Sequence, residues 1–130
     1  MQKRPFSPGF RLSLVDIAVL LVGTIVAVAL SFVLPWLAFV IAFVVGHFFL
    51  FCNIVRMARP LELIWAGVFV MLAGATVILE SPGWLVTACA SLVVTSVVVI
   101  IQARKPSYHG AGWQWINPGL PAWWESQSAV

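Results

Sequence analysis

Four runs of apolar residues follow one another with only short breaks, and each is close to the twenty or so residues a helix needs to cross a hydrocarbon core. They cover residues 13–33, 35–55, 60–79 and 82–101, and no charged side chain sits in the middle of any run. The pattern predicts an all-α membrane protein of four transmembrane helices. Local start signals agree with these limits, because the first N–H groups of a helix lack partners and favour a side-chain acceptor or a proline. Ser13 and Asp16 have the spacing of a capping-box variant, and Pro35 opens the second run while closing the first. Arg59-Pro60-Leu61-Glu62 places a proline and then a carboxylate in the first turn of the third run, and Ser81-Pro82-Gly83 supplies an N-cap and a proline for the fourth. Connections this short make each consecutive pair an antiparallel helical hairpin.

Charge sets the expected sidedness. All seven Lys and Arg residues lie on one side of the pattern: Lys3, Arg4 and Arg11 before the first run, Arg56 and Arg59 between the second and third, Arg104 and Lys105 after the fourth. By the positive-inside rule these regions are cytoplasmic. The expected organisation is therefore a basic cytoplasmic N-terminus over 1–12, a four-helix membrane domain over 13–101, and a cytoplasmic tail over 102–130. The expected location is a bacterial-type cytoplasmic membrane, with the protein multi-pass. Trp36 and Trp84 stand at the outer boundary and Trp65 one turn inside the cytoplasmic one, as in aromatic belts.

Composition narrows the class. The chain is 62% hydrophobic and only 8% charged, whereas soluble domains are about a quarter charged. The net charge of +3 comes from clusters flanking apolar runs, which suits anionic lipid heads and not nucleic acid. Lys3, Arg4 and the small residues Ala27-Val28-Ala29 resemble a cleavable secretory leader, yet the apolar run continues to Val33 and so reads as a span. Cys52 and Cys89 fall at different depths without a CxxC context, so they read as small apolar residues, not as a disulfide or zinc site.

Lipid is as apolar as leucine, so helices associate in it through close backbone approach and a few hydrogen bonds. Gly23, Ala27 and Ser31 form one stripe in span 1, and Ala66-Gly67 repeats as Ala73-Gly74 seven residues later in span 3. Thr87, Ser91 and Thr95 recur at four-residue steps in span 4, where each hydroxyl is expected to bond its own helix backbone. Span 2 is crowded with Phe39, Phe43, Phe48, Phe49 and Phe51, which suits a lipid-facing helix, a pigment pocket or a partner surface.

Three groups of residues could carry chemistry. His47 is the one ionisable side chain near mid-membrane, about 18 Å along span 2 from its start. Its simplest role is an interhelical hydrogen bond; the alternative is an axial ligand to haem or chlorophyll, with Gly46 admitting the flat macrocycle. His47 shares a helical face with Phe43, Phe51 and Ile54, while Asn53 lies about 120° away around an ideal helix. At the cytoplasmic edge Asp16, Asn53, Arg56, Arg59 and Glu62 reach one depth and could form a polar cluster. Such a cluster could be a gate or headgroup site with Asp16 and Glu62 as proton acceptors; the plainer role is that both acids complement helix N-termini and pair with arginines. In the tail, prolines and glycines argue against a long helix, and Trp113, Trp115, Trp123 and Trp124 either rest on lipid headgroups or anchor another subunit.

Length and span count resemble those of four-span small multidrug exporters, but here the acid of span 1 sits in a capping position at the membrane edge. No nucleophile with a paired base, no metal-ligand spacing and no phosphate loop is apparent, so an enzyme is not expected. The leading expectation is a small non-enzymatic accessory or assembly subunit. Its expected partners are the lipid bilayer and other membrane-protein subunits or copies of itself, and nucleic acid is not among them. A haem- or chlorophyll-binding subunit using His47 is the alternative, and a small oligomeric transporter the second.

Overall fold

The computed structural model describes residues 5–129. Lys3 and Arg4 lie outside the described residues. The chain is all-helical among them: α1 (Leu14–Ser31), α2 (Pro35–Phe49) continuing into one π-helical turn (Leu50–Ile54), α3 (Arg59–Leu79), α4 (Trp84–Ala103), and two short tail helices, α5 (Trp113–Ile116) and α6 (Leu120–Ser128). Four of these, with the π turn counted into α2, are long and apolar enough to cross a membrane. Their outer faces are apolar and bare: Leu14 and Phe32 are each 85% exposed and Ile78 79%, as lipid contact requires.

The helix starts follow local chemistry. At α1 the Ser13 hydroxyl accepts from the Asp16 backbone N–H while Asp16 Oδ2 accepts from the Ser13 N–H at 2.8 Å, a complete capping box. Pro35 and Pro60 occupy first-turn positions of α2 and α3, where their missing N–H is harmless. The start of α4 departs from expectation: Gly83, at φ 99°, is the N-cap in place of Ser81, and the helix begins at Trp84. The reason lies one residue upstream of Ser81, where Glu80 adopts left-handed φ 55° to end α3 and the chain needs a second positive-φ residue to re-enter a helix.

α1 packs chiefly on α2, and α3 on α4. The first seam is as expected at two of its three residues: a Cβ on Gly23 would stand 2.7 Å from Val45 Cγ2, so glycine lets these backbones approach, and Ala27 is buried beside it, while Ser31 is exposed and donates to Val28 O. The second seam is not. Positions 67 and 74 have nothing within 4 Å of a Cβ, so the glycines of α3 face outward, and α3 meets α4 through the Thr76–Thr87 hydroxyl pair at 2.9 Å.

The core gathers Phe51, Val55, Met57, Leu61, Trp65, Phe69, Val98 and Tyr108 toward the end where the basic residues lie. Phe43 and Phe51 of α2 and its π turn therefore pack inward, against the expectation that this helix offers its phenylalanines to lipid or pigment. Trp65 is also not a belt residue; it is 5% exposed, stacked on Phe69 at 5.2 Å and 5°. The tail folds back over this basic end. The Ala111 N–H donates to Ile54 O and the Gly9 N–H to His109 O, both at 2.7 Å. Gly110 fits so closely that a Cβ would lie 2.5 Å from Val55 O. Leu120, the first residue of α6, is fully buried.

Candidate functional site

The π turn is the local feature that positions everything at the basic end. Val55 N–H reaches back to Leu50 O at 2.8 Å, five residues away, and Met57 N–H to Phe51 O at 2.7 Å. Such a widened turn shifts the side-chain register and recurs at functional places in helices. Here it aims Asn53 at the N-terminal segment while His47, before the turn, faces α3 and α4.

Around His47 the geometry fixes one proton and couples two others. Nδ1 lies 2.8 Å from Phe43 O, which can only accept, so Nδ1 carries a proton. In the neutral ring Nε2 then accepts from the Thr95 hydroxyl at 2.9 Å. Thr95 Oγ1 in turn accepts from Trp65 Nε1–H at 2.8 Å, and that indole also reaches Ser91 O at 3.2 Å. The Thr95 hydroxyl is equally placed to donate to Ser91 O at 2.8 Å, which would require Nε2 to carry a proton of its own. The hydroxyl proton and the charge of the ring are thus tied together. Trp65 covers one face of the imidazole, with ring centres 4.3 Å apart at 21°, and Phe43 and Phe51 close in at 4.4 and 5.6 Å.

That arrangement matches the expected interhelical hydrogen bond. In it Nε2, the nitrogen an axial ligand would offer, lies against Thr95 Oγ1. The hydroxyls of α4 divide in a way the four-residue spacing did not reveal. Thr95 joins helices as well as its own backbone, Thr87 pairs with Thr76, and Ser91 Oγ is buried with no partner. Thr95 was legible in principle as the partner of His47. Trp36 stacks on Trp84 at 5.9 Å, so α2 and α4 start side by side, and His47 and Thr95 lie almost equally far along them.

The five polar residues expected to cluster at one edge separate into three groups. Asn53 Nδ2 donates to Asp16 Oδ2 at 2.9 Å and to Arg11 O at 2.6 Å. Since Ser13 N–H and Oγ–H also donate to Asp16 Oδ2, that carboxylate is spent on capping α1 and holding Asn53. Glu62 pairs with Arg59 at 3.6 Å and accepts from the Cys52 thiol at 3.6 Å. Arg56 stands apart, donating to Ser7 O at 2.6 Å. Glu62 thus sits in the first turn of α3 and pairs with an arginine, whereas Asp16 caps α1 and holds Asn53 in place of one. Gln102, which carried no signal in the sequence, is 3% exposed and accepts from the Ala58 N–H at 3.3 Å.

The tail tryptophans also divide. Trp113 and Trp124 grip Phe6 edge to face at 6.0 and 5.5 Å, and Trp123 packs beside Trp124. Trp115 alone among the four projects, at 90% exposed. Cys52 and Cys89 are both free thiols. Comparison with known proteins gives no match: no family model, no curated relative and no solved structure is similar to this chain.

Proposed function

We propose that this chain is a small, non-enzymatic, multi-pass membrane protein serving as an accessory or assembly subunit of a larger membrane complex. It sits in the bilayer as two antiparallel hairpins, with its basic end and both termini on the cytoplasmic side. The observation that carries the reading is the open pair Gly67 and Gly74 on α3. A glycine inside a helix costs about 1 kcal/mol relative to alanine, and nothing among the described residues uses the missing side chains. Close approach of another helix does use them, at Gly74 within a groove and at Gly67 one heptad nearer the basic end, and a seven-residue repeat keeps both on one side of a left-handed helix pair.

The surroundings support a helical occupant. Gly74 and Ala73 line an apolar groove of about 440 Å³ together with Val40, Val44 and Phe69, flanked by Trp36 and Trp84. We take the occupant to be a transmembrane helix of another protein, with Trp115 available for contact on the cytoplasmic side. The test is gentle solubilisation of native membranes followed by affinity capture of the chain. Wild type should bring down a defined membrane protein, and the Gly67→Leu/Gly74→Leu variant should lose it while keeping its helical circular dichroism. Retention of the same partner by that variant would defeat the proposal, as would a wild-type chain that migrates alone or only with itself.

A further inference from the structure

At the basic end the N-terminal segment, the exit of the π turn and the tail enclose a cavity of about 540 Å³, within the usual range for small-ligand sites. Arg11, Arg56 and His109 line it, with Ser107 and the indoles of Trp123 and Trp124. Neither Arg11 nor Arg56 forms an ion pair among the described residues, where Arg59–Glu62 is the one found. Two guanidinium groups facing one partly enclosed space repel each other unless an anion joins them. Burial and the nearby Arg11 charge accordingly push the Arg56 pKa down from its ordinary value.

Backbone conformation points to the same place. Arg56 has φ 51°, the left-handed region that side chains larger than glycine, asparagine and aspartate seldom enter. Strained positions of this kind cluster at ligand clamps, where the surroundings hold them. Here one guanidinium N–H is tied to Ser7 O, which fixes the fork and leaves further donors uncommitted. His109 is similarly preset: Nδ1–H donates to Ser107 O at 2.8 Å, leaving Nε2 as the free nitrogen of the ring.

We propose that this cavity is a binding site for a phosphate-bearing anion, held between the Arg11 and Arg56 guanidinium groups. Planar guanidinium forks match phosphate oxygens in pairs, which lysine cannot do as well. Ser107 and His109 line the cavity beside them, and the two indoles wall the space as tryptophan does where one side is wet and the other apolar. The site is distinct from the α3 groove, so it stands or falls separately from partner docking. The same chemistry serves an anionic phospholipid headgroup or a soluble phosphate.

The experiment uses the full chain in nanodiscs. In one arm phosphatidylcholine discs receive increasing phosphatidylglycerol, with retained lipid counted by native mass spectrometry. In the other, phosphatidylcholine discs are titrated with inorganic phosphate and followed by thermal stability. Arg11→Gln/Arg56→Gly removes both guanidinium groups, and glycine accepts the left-handed backbone, so the fold is kept. Arg104→Gln, on the same end but outside the cavity, removes a charge without touching the site. A phosphatidylglycerol preference that falls about tenfold or more in the double variant and persists in Arg104→Gln supports a lipid source. A phosphate-dependent shift with the same variant pattern supports a soluble source. No binding in either arm, or equal loss in Arg104→Gln, overturns the proposal.

Discussion

Thr95→Val and Ser91→Ala delete two buried hydroxyls one helical turn apart on the same face of α4, yet the structure predicts opposite outcomes. Valine keeps the shape of threonine. After the change Trp65 Nε1–H retains Ser91 O at 3.2 Å, but His47 Nε2 loses the hydroxyl that lay 2.9 Å away, in a residue only 8% exposed. A buried nitrogen left without a partner costs about 1–3 kcal/mol. Interhelical hydrogen bonds in membranes are worth about 0.6 kcal/mol on average and up to about 1.7, because chains unfolded in lipid find other partners. The two ranges meet at about 1–2 kcal/mol, a roughly 5–30-fold change in the folded fraction, which is the predicted cost of Thr95→Val. Ser91 Oγ makes no bond to lose, so Ser91→Ala should fall within about 0.5 kcal/mol of wild type or stabilise slightly. The assay is reversible unfolding in mixed micelles titrated with a denaturing detergent, read by tryptophan emission and circular dichroism. If Ser91→Ala proves as costly as Thr95→Val, or if Thr95→Val leaves stability unchanged, the hydrogen-bond assignment around His47 is wrong.

Gly23→Ala should destabilise the α1–α2 contact by about 1–3 kcal/mol because its Cβ meets Val45 Cγ2 at 2.7 Å, and adding Val45→Ala should restore most of the loss in the same unfolding assay. Gly110→Ala drives a Cβ to within 2.5 Å of a backbone carbonyl that cannot yield, so limited proteolysis should cut the tail of this variant well before that of wild type. High pH should loosen the same tail. Burial pushes the Tyr108 phenol up from its ordinary value, and its hydroxyl donates to Ala111 O at 2.7 Å. A raised folded pKa means that this contribution is complete below the unfolded value, near 10, and fades as pH rises through the folded one. Tyr108 is the chain's one tyrosine, so tyrosinate absorbance should titrate above free tyrosine and should return to the ordinary range in Gly110→Ala. A normal titration in wild type would contradict tail docking.

The helices were legible in the sequence because their signals are local. Twenty-residue apolar runs, the Ser13–Asp16 box and first-turn prolines need no knowledge of neighbours, and Gly23 was legible because a small-residue stripe states a demand for close approach. What was hidden depends on how helices turn about one another. The π turn at Leu50–Ile54 arises from carbonyls that slip one residue further along the chain, which composition does not encode. Phe43 and Phe51 pack on Trp65, so an aromatic-rich helix that suited lipid, a pigment or a partner supplies the core. The α3 glycines face outward, and depth alone could not distinguish a seam inside the chain from one open to a partner. At the candidate site, shared depth placed Asp16, Asn53, Arg56, Arg59 and Glu62 together. They split instead into Asp16 with Asn53, Arg59 with Glu62, and Arg56 on Ser7, and the Arg11–Arg56 cavity forms only once the tail folds back.

Sidedness ties these elements together, since the tail and the arginine cavity lie at the basic end while the α3 groove opens toward the Trp36–Trp84 end. It can be read with single-cysteine reporters in a chain carrying Cys52→Ala and Cys89→Ala. Ser81→Cys marks the turn between α3 and α4, and Gln127→Cys marks the tail; both wild-type residues are exposed. On intact cells a membrane-impermeant maleimide should label the Ser81→Cys chain at once and the Gln127→Cys chain only after lysis. Labelling of Gln127→Cys from outside, or protection of Ser81→Cys until lysis, would contradict a cytoplasmic basic end.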